Sequence, residues 1–308
     1  MEAFLSPTVD PVIIISGTTC SGKTAIAERL CKQIGSEIIS ADSRCFFRDI
    51  LIGNGKYTMD RSVRYHMVDV VNADRYFTVS SFLAGTQESI RSIKRRGISP
   101  IICGGSMLHI DRLMNGMGPN GRPDRTMRLW LDEFINEFGP VESHNLLLEL
   151  DHDIGKSISS HDRRRVRRGL ENCISSNDFE GPIAGLDRPY IPFFMDRSDE
   201  ELISRIHDRA RTMIDRGWVE EARSISEGYL SRDIPGLVLS GIEHIFSFID
   251  GSIDEEKLIE DIVKANMQLV RYQRKWLKRL PLERIDLSSV EEDELMSYIQ
   301  ARIDQEDE

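Results

Sequence analysis

The chain has 308 residues, of which 40% are hydrophobic and 30% are charged, a composition typical of a water-soluble globular protein with one large or two modest domains. Its longest apolar run, Val12 to Ile15, is far shorter than the roughly 20 residues that a membrane-spanning helix needs, and no signal peptide is recognisable. We therefore expect no membrane association and a cytoplasmic location. The cysteines form no C-x-x-C pair and the histidines no H-x-x-x-H spacing, which argues against a zinc site or a disulfide framework.

Charge is distributed unevenly along the chain. The formal net charge is -11, but residues 281–308 contain ten acidic residues and two arginines, which leaves only -3 for residues 1–280. Positive charge is clustered in residues 163–168 and again in residues 264–279, and the second run contains no acidic residue. Because local charge decides whether a phosphate can dock, both runs are candidate nucleic-acid-binding clusters.

The first 117 residues alternate between predicted strands and helices. The predicted strands are Val12–Ser16, Glu37–Ser40, Met67–Val71 and Pro100–Cys103, and the predicted helices are Lys23–Gln33 and Ser80–Arg95. This alternation predicts an α/β fold with a mainly parallel sheet and helices on both faces.

Residues 118–187 differ in character, because they combine helical patterns with many Pro, Gly and Arg residues and show no strand pattern. The helices predicted there are Arg125–Glu137, Val141–Leu150 and Asp162–Cys173. Residues 188–308 are predicted to add a further strand to the sheet, followed by helices. Their predicted elements are the strand Tyr190–Met195 and the helices Asp199–Arg216, Val219–Glu227, Gly241–Ile249 and Glu255–Arg279. We therefore predict a core domain of residues 1–117 and 188–308, with a helical insertion between them.

Residues Gly17 to Thr24 match the phosphate-loop pattern G-x-x-x-x-G-K-[ST] directly after a predicted strand and at the start of a predicted helix. Such a loop surrounds a phosphate with backbone amides, while Lys23 neutralises its oxygens and the Thr24 hydroxyl can ligate Mg²⁺. The fold class is therefore expected to be P-loop NTPase-like. The loop does not distinguish a nucleoside triphosphate from another diphosphate ester, so a small-molecule kinase using ATP stays possible.

A second candidate group is Asp42, which follows the predicted strand Glu37–Ser40 at its carboxyl end. Open α/β sheets place their ligands at that edge, so a carboxylate there could accept a proton. A turn or helix-capping aspartate is an equally good interpretation of this fragment alone. The strand Pro100–Cys103 ends without the carboxylate that orients Mg²⁺ in NTPases, although Asp42 or Asp69 could substitute.

Several further blocks accompany the phosphate loop along nearly the whole chain. They are Ala41-Asp42-Ser43-Arg44, residues 65–69 (Tyr-His-Met-Val-Asp), Gly104-Gly105-Ser106, residues 162–171, residues 205–209 and residues 271–279. In order and spacing they resemble those of the tRNA dimethylallyltransferases. Each block alone is a modest signal, but their collinearity makes a chance match improbable.

The resemblance implies transfer of a dimethylallyl group from dimethylallyl diphosphate to an adenosine beside the anticodon, with the tRNA anticodon stem-loop as partner and Mg²⁺ as cofactor in a monomeric enzyme. The implied catalytic residues are Asp42, as general base, with Ser106 and Arg205. The implied diphosphate grip comprises Gly17, Thr19, Cys20, Ser21, Gly22, Lys23 and Thr24, with Thr24 on the metal, together with Arg209. The implied tRNA contacts are Asp42, Ser43, Arg44, Cys45, Arg164, Arg165, Arg168, Arg271, Gln273 and Arg274.

The chain departs from the family pattern mainly where an acceptor would be recognised. Residues 44–47 read Arg-Cys-Phe-Phe in place of a block that normally carries an amide and a phenol, and His109 stands where the family has tyrosine. These departures leave open an adenylate isopentenyltransferase that acts on free AMP, ADP or ATP. The helical insertion and the two basic clusters favour tRNA.

Overall fold

The structure is a computed structural model, and it describes residues 11–117, 120–121, 125–174, 179–180, 183–186, 189–232, 234–237 and 239–306. Contacts within the chain divide it into two compact units. We call Met1–Met114 with Leu186–Glu308 the core unit, and Asn115–Gly185 the inserted unit. Among the described residues, no helix has the length and apolar character needed to cross a membrane.

The elements run along the chain as follows. The described strands are β1 (Val12–Gly17), β2 (Ile38–Ser40), β3 (Tyr65–His66), β4 (Ile101–Gly104), β5 (Asn120–Gly121), β6 (Phe179–Glu180), β7 (Tyr190–Asp196) and β8 (Glu283–Asp286). The described helices are α1 (Lys23–Ile34), α2 (Val79–Lys94), α3 (Met107–Asn115), α4 (Arg125–Phe138), α5 (Pro140–Leu150), α6 (His152–Ser157), α7 (Arg163–Ile174), α8 (Asp199–Asp215), α9 (Trp218–Gly228), α10 (Ile242–Ile249), α11 (Glu255–Lys275) and α12 (Glu292–Glu306).

The core unit is built on a six-stranded sheet in the order β3-β2-β4-β1-β7-β8, and every neighbouring pair is parallel. Ile15 of β1 packs on one face in a cluster with Leu30 of α1 and Ile299 of α12. Ser16 points to the opposite face, because side chains alternate along a strand, and its hydroxyl donates to Met107 of α3 at 3.3 Å. Helices therefore cover both faces, and the α/β prediction is confirmed.

The third strand lies earlier than predicted. The sheet takes Tyr65–His66, whereas the predicted strand Met67–Val71 is wrong in position. Asp69 has a φ of 56°, a left-handed conformation that no strand contains. Its amide donates to the carbonyl of Cys45, and the Arg48 side chain binds the Asp69 carbonyl at 2.7 Å. The segment is thus fixed to the loop after β2 and not to the sheet edge.

The acidic carboxyl-terminal region is part of the core unit. Residues 281–308, interpreted from the sequence only as an acidic stretch, contribute strand β8 and helix α12. The buried side chains of α12 are Leu295, Met296, Ile299 and Ile303. Burial of each such side chain contributes about 1.5–3 kcal/mol. Glu292 and Asp293 face outward and pair with Arg29 of α1, so the acidic run is the polar face of an amphipathic helix.

The inserted unit is mainly helical. Its described core is formed by Leu131 of α4, Leu147 of α5, and Val166 and Leu170 of α7. Strands β5 and β6 pair in antiparallel fashion, so the expectation that the insertion has no strand is wrong. Strands of two residues are too short to show an alternating pattern in the sequence.

Candidate active site

The phosphate loop, residues 17–24, leads from β1 into α1. Gly17 has a φ of 154°, and a Cβ there would lie 2.2 Å from the carbonyl oxygen of Met195 on β7, so the backbone can pass only with glycine. Gly22 has a φ of 100° at the amino end of α1, and no side chain caps that end. An uncapped helix amino terminus next to a glycine-rich loop is a favourable site for an anion.

Lys23 lies folded against this loop. Its ammonium donates to the carbonyl of Thr18 at 3.0 Å, and the Ser21 hydroxyl donates to the same carbonyl at 2.9 Å. Burial lowers the pKa of Lys23, whereas the negative charge of the nearby Asp42 opposes that shift. A phosphate bound in the loop would likewise favour the charged ammonium.

Three arginine side chains of the core unit contact the phosphate loop. Arg205 and Arg197 donate to the carbonyls of Cys20 and Ser21, each at 2.8 Å. Arg209 donates to the Cys20 sulfur at 3.8 Å. Burial alone would lower the pKa of Arg209, but neighbouring groups including Cys20 and Asp42 hold that pKa above its ordinary value. Positive charge therefore surrounds the predicted diphosphate position.

Asp42 and Ser106 are brought together by the loops after β2 and β4. A Cβ at Gly104 would lie 2.2 Å from the carbonyl carbon of Ala41, so glycine allows the two loops to touch. The Ser106 hydroxyl accepts from the Ser43 amide at 2.8 Å and donates to the Ser43 hydroxyl at 3.0 Å. These contacts fix the backbone on which Asp42 stands.

The Asp42 carboxylate has one engaged oxygen. Its Oδ1 accepts from the Arg44 amide at 3.0 Å, which is the turn geometry considered from the sequence. Within the described residues Oδ2 has no hydrogen-bond partner. Lys23, Arg209 and His109 all lie close enough to interact with Asp42 electrostatically. The turn role and a proton-accepting role are thus compatible in one side chain.

Thr24, the predicted metal ligand, lies in the first turn of α1. Cys103 lies beside this turn: its thiol donates to the carbonyl of Lys23 at 3.9 Å, and burial raises the pKa of the thiol to about 12. Asp69, considered as an alternative carboxylate for Mg²⁺, pairs with the buried Lys56. No cluster of three or more His, Cys, Asp or Glu side chains that could hold a metal occurs in the part of the chain that the structure describes.

An aromatic cluster lies beside Asp42. His109 packs edge-on against Phe82 and Phe46, with ring centroids 4.7 and 5.6 Å away, and Phe46 also contacts Phe77. Burial lowers the pKa of His109 to about 4, and its Nε2 is buried with no hydrogen-bond partner among the described residues. The imidazole is therefore neutral at physiological pH. Cys45, a predicted tRNA contact, is buried as well.

The basic cluster of α7 is only partly available to a ligand. Arg164 and Arg165 are exposed, although Arg165 lies 3.4 Å from Asp162. Arg168 donates to the buried Glu171 at 2.7 Å. Two of the three arginines predicted to contact tRNA here therefore lie on the surface, whereas Arg168 is held by an ion pair.

The three tRNA contacts predicted in the last turns of α11 differ in how exposed their side chains are. Arg271 is exposed, but the Gln273 side chain is buried and binds the protein itself. Arg274 pairs with Asp196, which is completely buried, at 2.9 Å. The structure therefore leaves only Arg271 of these three at the surface. Tyr272, between Arg271 and Gln273, is 47% exposed.

Comparison with known proteins identifies the family. Residues 45–280, more than half of the chain, match the family model described as IPP transferase. The chain belongs to the IPP transferase family. The resemblance inferred from the sequence is thereby confirmed.

Relatives and solved structures match this chain over most of their length. A tRNA dimethylallyltransferase of Hydrogenobaculum sp. (strain Y04AAS1) is 31% identical over 276 residues, which are 87% of this chain and 91% of the relative. The crystal structure of a full-length tRNA isopentenylpyrophosphate transferase from Bacillus halodurans has a TM-score of 0.69 at 22% identity and covers 96% of this chain and 98% of its own. A crystal structure of a eukaryotic dimethylallyltransferase acting on tRNA has a TM-score of 0.71 at 23% identity and covers 90% and 74%. The two solved structures share the fold.

Two residues of this IPP transferase site were missed from the sequence. Arg197 directly follows β7, and only the register of β7 beside β1 brings it to Ser21. His109 was noted as a departure from the family pattern, but its burial beside Asp42 was not expected. An arginine at the carboxyl end of a neighbouring parallel strand was the signal that could have revealed Arg197.

Proposed function

We propose that this IPP transferase moves the dimethylallyl group of dimethylallyl diphosphate to the exocyclic N6 amine of the adenosine adjacent to the anticodon in tRNA. One observation carries the proposal: Asp42 and Lys23 both lie against the Gly104–Gly105 turn, since a Cβ at Gly104 would meet the Asp42 amide nitrogen at 2.7 Å and a Cβ at Gly105 would meet Lys23 Cε at 3.5 Å. The proton acceptor and the diphosphate grip therefore lie at the same edge of one sheet, where the carboxyl ends of its parallel strands meet. Relatives over most of the chain are tRNA dimethylallyltransferases.

On the donor side, the diphosphate lies in the phosphate loop at the amino end of α1. Lys23, Arg205 and Arg209 neutralise its charge as the allylic C–O bond breaks. An allylic diphosphate is a good leaving group once this charge is balanced, so electrostatic stabilisation by fixed groups supplies much of the rate.

On the acceptor side, the N6 amine attacks the allylic carbon that loses the diphosphate. The new C–N bond forms with the nitrogen lone pair, and the carboxylate of Asp42 accepts the proton that the nitrogen releases. Ser106 accepts from the amide of Ser43 and so holds the loop that carries Asp42. The two substrates thus give prenylated adenosine, diphosphate and one proton, which account for all of their atoms.

Mg²⁺ fits the donor set by its chemistry, since the Thr24 hydroxyl is a hard oxygen ligand beside the diphosphate position. This ion commonly binds through one or two protein oxygens together with substrate phosphates and water, which agrees with the lack of a three-residue metal cluster in the described residues. Bound there, Mg²⁺ would neutralise charge on the leaving diphosphate.

The tRNA contacts are assigned to exposed basic residues. Arg164 and Arg165 of α7 and Arg271 of α11 lie at the surface, where they can bind backbone phosphates. An adenine must leave its stack to be alkylated, so these contacts hold the RNA while the base enters the site. The inserted unit thus provides a tRNA-binding domain.

The test is incubation of the purified protein and Mg²⁺ with labelled dimethylallyl diphosphate and, in separate reactions, bulk tRNA or AMP. We expect label in the tRNA fraction and none in AMP. Label in AMP alone would identify an adenylate isopentenyltransferase. Rapid ATP consumption without use of the isoprenoid donor would identify a small-molecule kinase and refute the proposal.

A further inference from the structure

Gln273 lies in the last turn of α11 and is only 2% exposed. Its Oε1 accepts from the backbone amide of Thr19 at 2.9 Å. Its Nε2 donates to the carbonyl of Gly105, also at 2.9 Å. One buried amide therefore links the phosphate loop after β1 to the turn after β4, which carries Ser106.

The surroundings of this link are tightly packed. A Cβ at Gly105 would lie 2.7 Å from Gln273 Nε2 and 3.5 Å from Lys23 Cε. Gly105 in the turn after β4 therefore lies against both the amide of Gln273 and the side chain of Lys23. A shift of the amide would move both loops.

The next residue of α11 reinforces the same loop. Arg274 binds the buried carboxylate of Asp196, and the Oδ1 of that carboxylate also accepts from the Thr18 hydroxyl at 3.2 Å. Consecutive residues of one helix therefore hold Thr18, through Asp196, and Thr19 directly. The phosphate loop is fixed from α11 as well as from its own glycines.

We propose that Gln273 is a positioning residue that sets the spacing between the diphosphate loop and the turn facing the acceptor amine. This inference rests on the proposed prenyl transfer. The amide is 2% exposed and each of its ends binds a backbone group, so it could reach an RNA only by leaving its place and abandoning Thr19 or Gly105. Gln273 acts through the loop and not on the nucleic acid.

A double-mutant cycle tests the inference. Gln273→Met keeps the side-chain volume but removes both hydrogen bonds, whereas Gly105→Ala keeps the glutamine and displaces its amide from the other side. We expect each variant to weaken binding of inorganic pyrophosphate, measured by calorimetry, by about tenfold, because one or two buried hydrogen bonds are lost. We expect kcat/KM for dimethylallyl diphosphate to fall by about the same factor and the KM for tRNA to stay within about twofold.

The double variant should be no worse than the poorer single variant, because both changes break one link. Gln268→Met, at an exposed position of the same helix, is the matched control and should leave all three quantities unchanged. Additive losses of about a hundredfold, or a raised KM for tRNA with unchanged pyrophosphate affinity, would overturn the inference. Pyrophosphate binding needs no prenyl transfer, so it decides the role of Gln273 even if the wild-type protein failed to prenylate tRNA.

Discussion

The donor and acceptor sides of the site are built in different ways. On the donor side, a single eight-residue loop contains the glycines and Lys23, and three arginines contact it, two at backbone carbonyls and Arg209 at the Cys20 sulfur. On the acceptor side, Asp42 and Ser43 lie in the loop after β2, Ser106 lies in the turn after β4 and His109 lies in α3, and hydrogen bonds and aromatic packing join these segments. The phosphate loop itself is therefore a local feature of the chain, whereas the arginines around it and the whole acceptor side depend on how distant segments pack.

The largest effect is expected on the acceptor side, from Asp42→Asn. Asparagine can still accept from the Arg44 amide, so the turn is kept while the proton acceptor is lost. Transfer measured in single turnover should fall about 1,000-fold, a typical contribution of a general base, while dimethylallyl diphosphate binding changes less than about threefold. Unchanged turnover would remove Asp42 from the mechanism. Asp74→Asn, at a partly exposed carboxylate, is the matched control.

On the donor side, Lys23→Met should weaken the binding of dimethylallyl diphosphate, which Asp42→Asn leaves nearly unchanged. The variant removes the ammonium that lies against Thr18 in the phosphate loop. Calorimetry should show dimethylallyl diphosphate binding weakened by about 10- to 100-fold, as expected for a lost charged hydrogen bond, with the Kd for tRNA unchanged. Lys32→Met, at an exposed lysine in the last turn of the same helix, should have neither effect. A loss of tRNA affinity in Lys23→Met would mean that the two sides are not separable.

The smallest effect is expected from His109→Phe, on the acceptor side, which changes how the free energy of unfolding depends on pH. Burial lowers the pKa of His109 in the folded chain to about 4 from its ordinary value of 6.5, so between these values the unfolded chain binds a proton that the folded chain does not. The contribution of neutral His109 to the free energy of unfolding is therefore fully present above about pH 6.5 and is lost as the pH falls towards 4.

Urea unfolding of the wild type at pH 8 and pH 5 measures this loss. His109→Phe should lose about 2 kcal/mol less than the wild type over that interval, because phenylalanine has no proton to bind. His152→Phe, at an exposed histidine, should retain the wild-type pH dependence. An identical pH dependence in His109→Phe and the wild type would place the imidazole in contact with water.

The two basic clusters show what a sequence pattern leaves undecided. Residues 163–168 and 264–279 look alike as runs of cations, and both were interpreted as RNA-binding. In the structure Arg168 and Arg274 are paired with buried carboxylates, whereas Arg164 and Arg271 are exposed. A charge run predicts a basic element, but the partners across the interior decide which members remain available to phosphate.

The sequence by itself determined the phosphate loop and the alternation of strands and helices, because each is encoded by neighbouring residues or by a short period. It placed Asp42 at the end of a strand for the same reason. Only the tertiary structure decided that the acidic end forms an amphipathic helix on the sheet, that Met67–Val71 is not a strand, and that Arg197 and Gln273 hold the phosphate loop. These outcomes depend on contacts between residues far apart in the chain, whose spacing leaves no periodic signal.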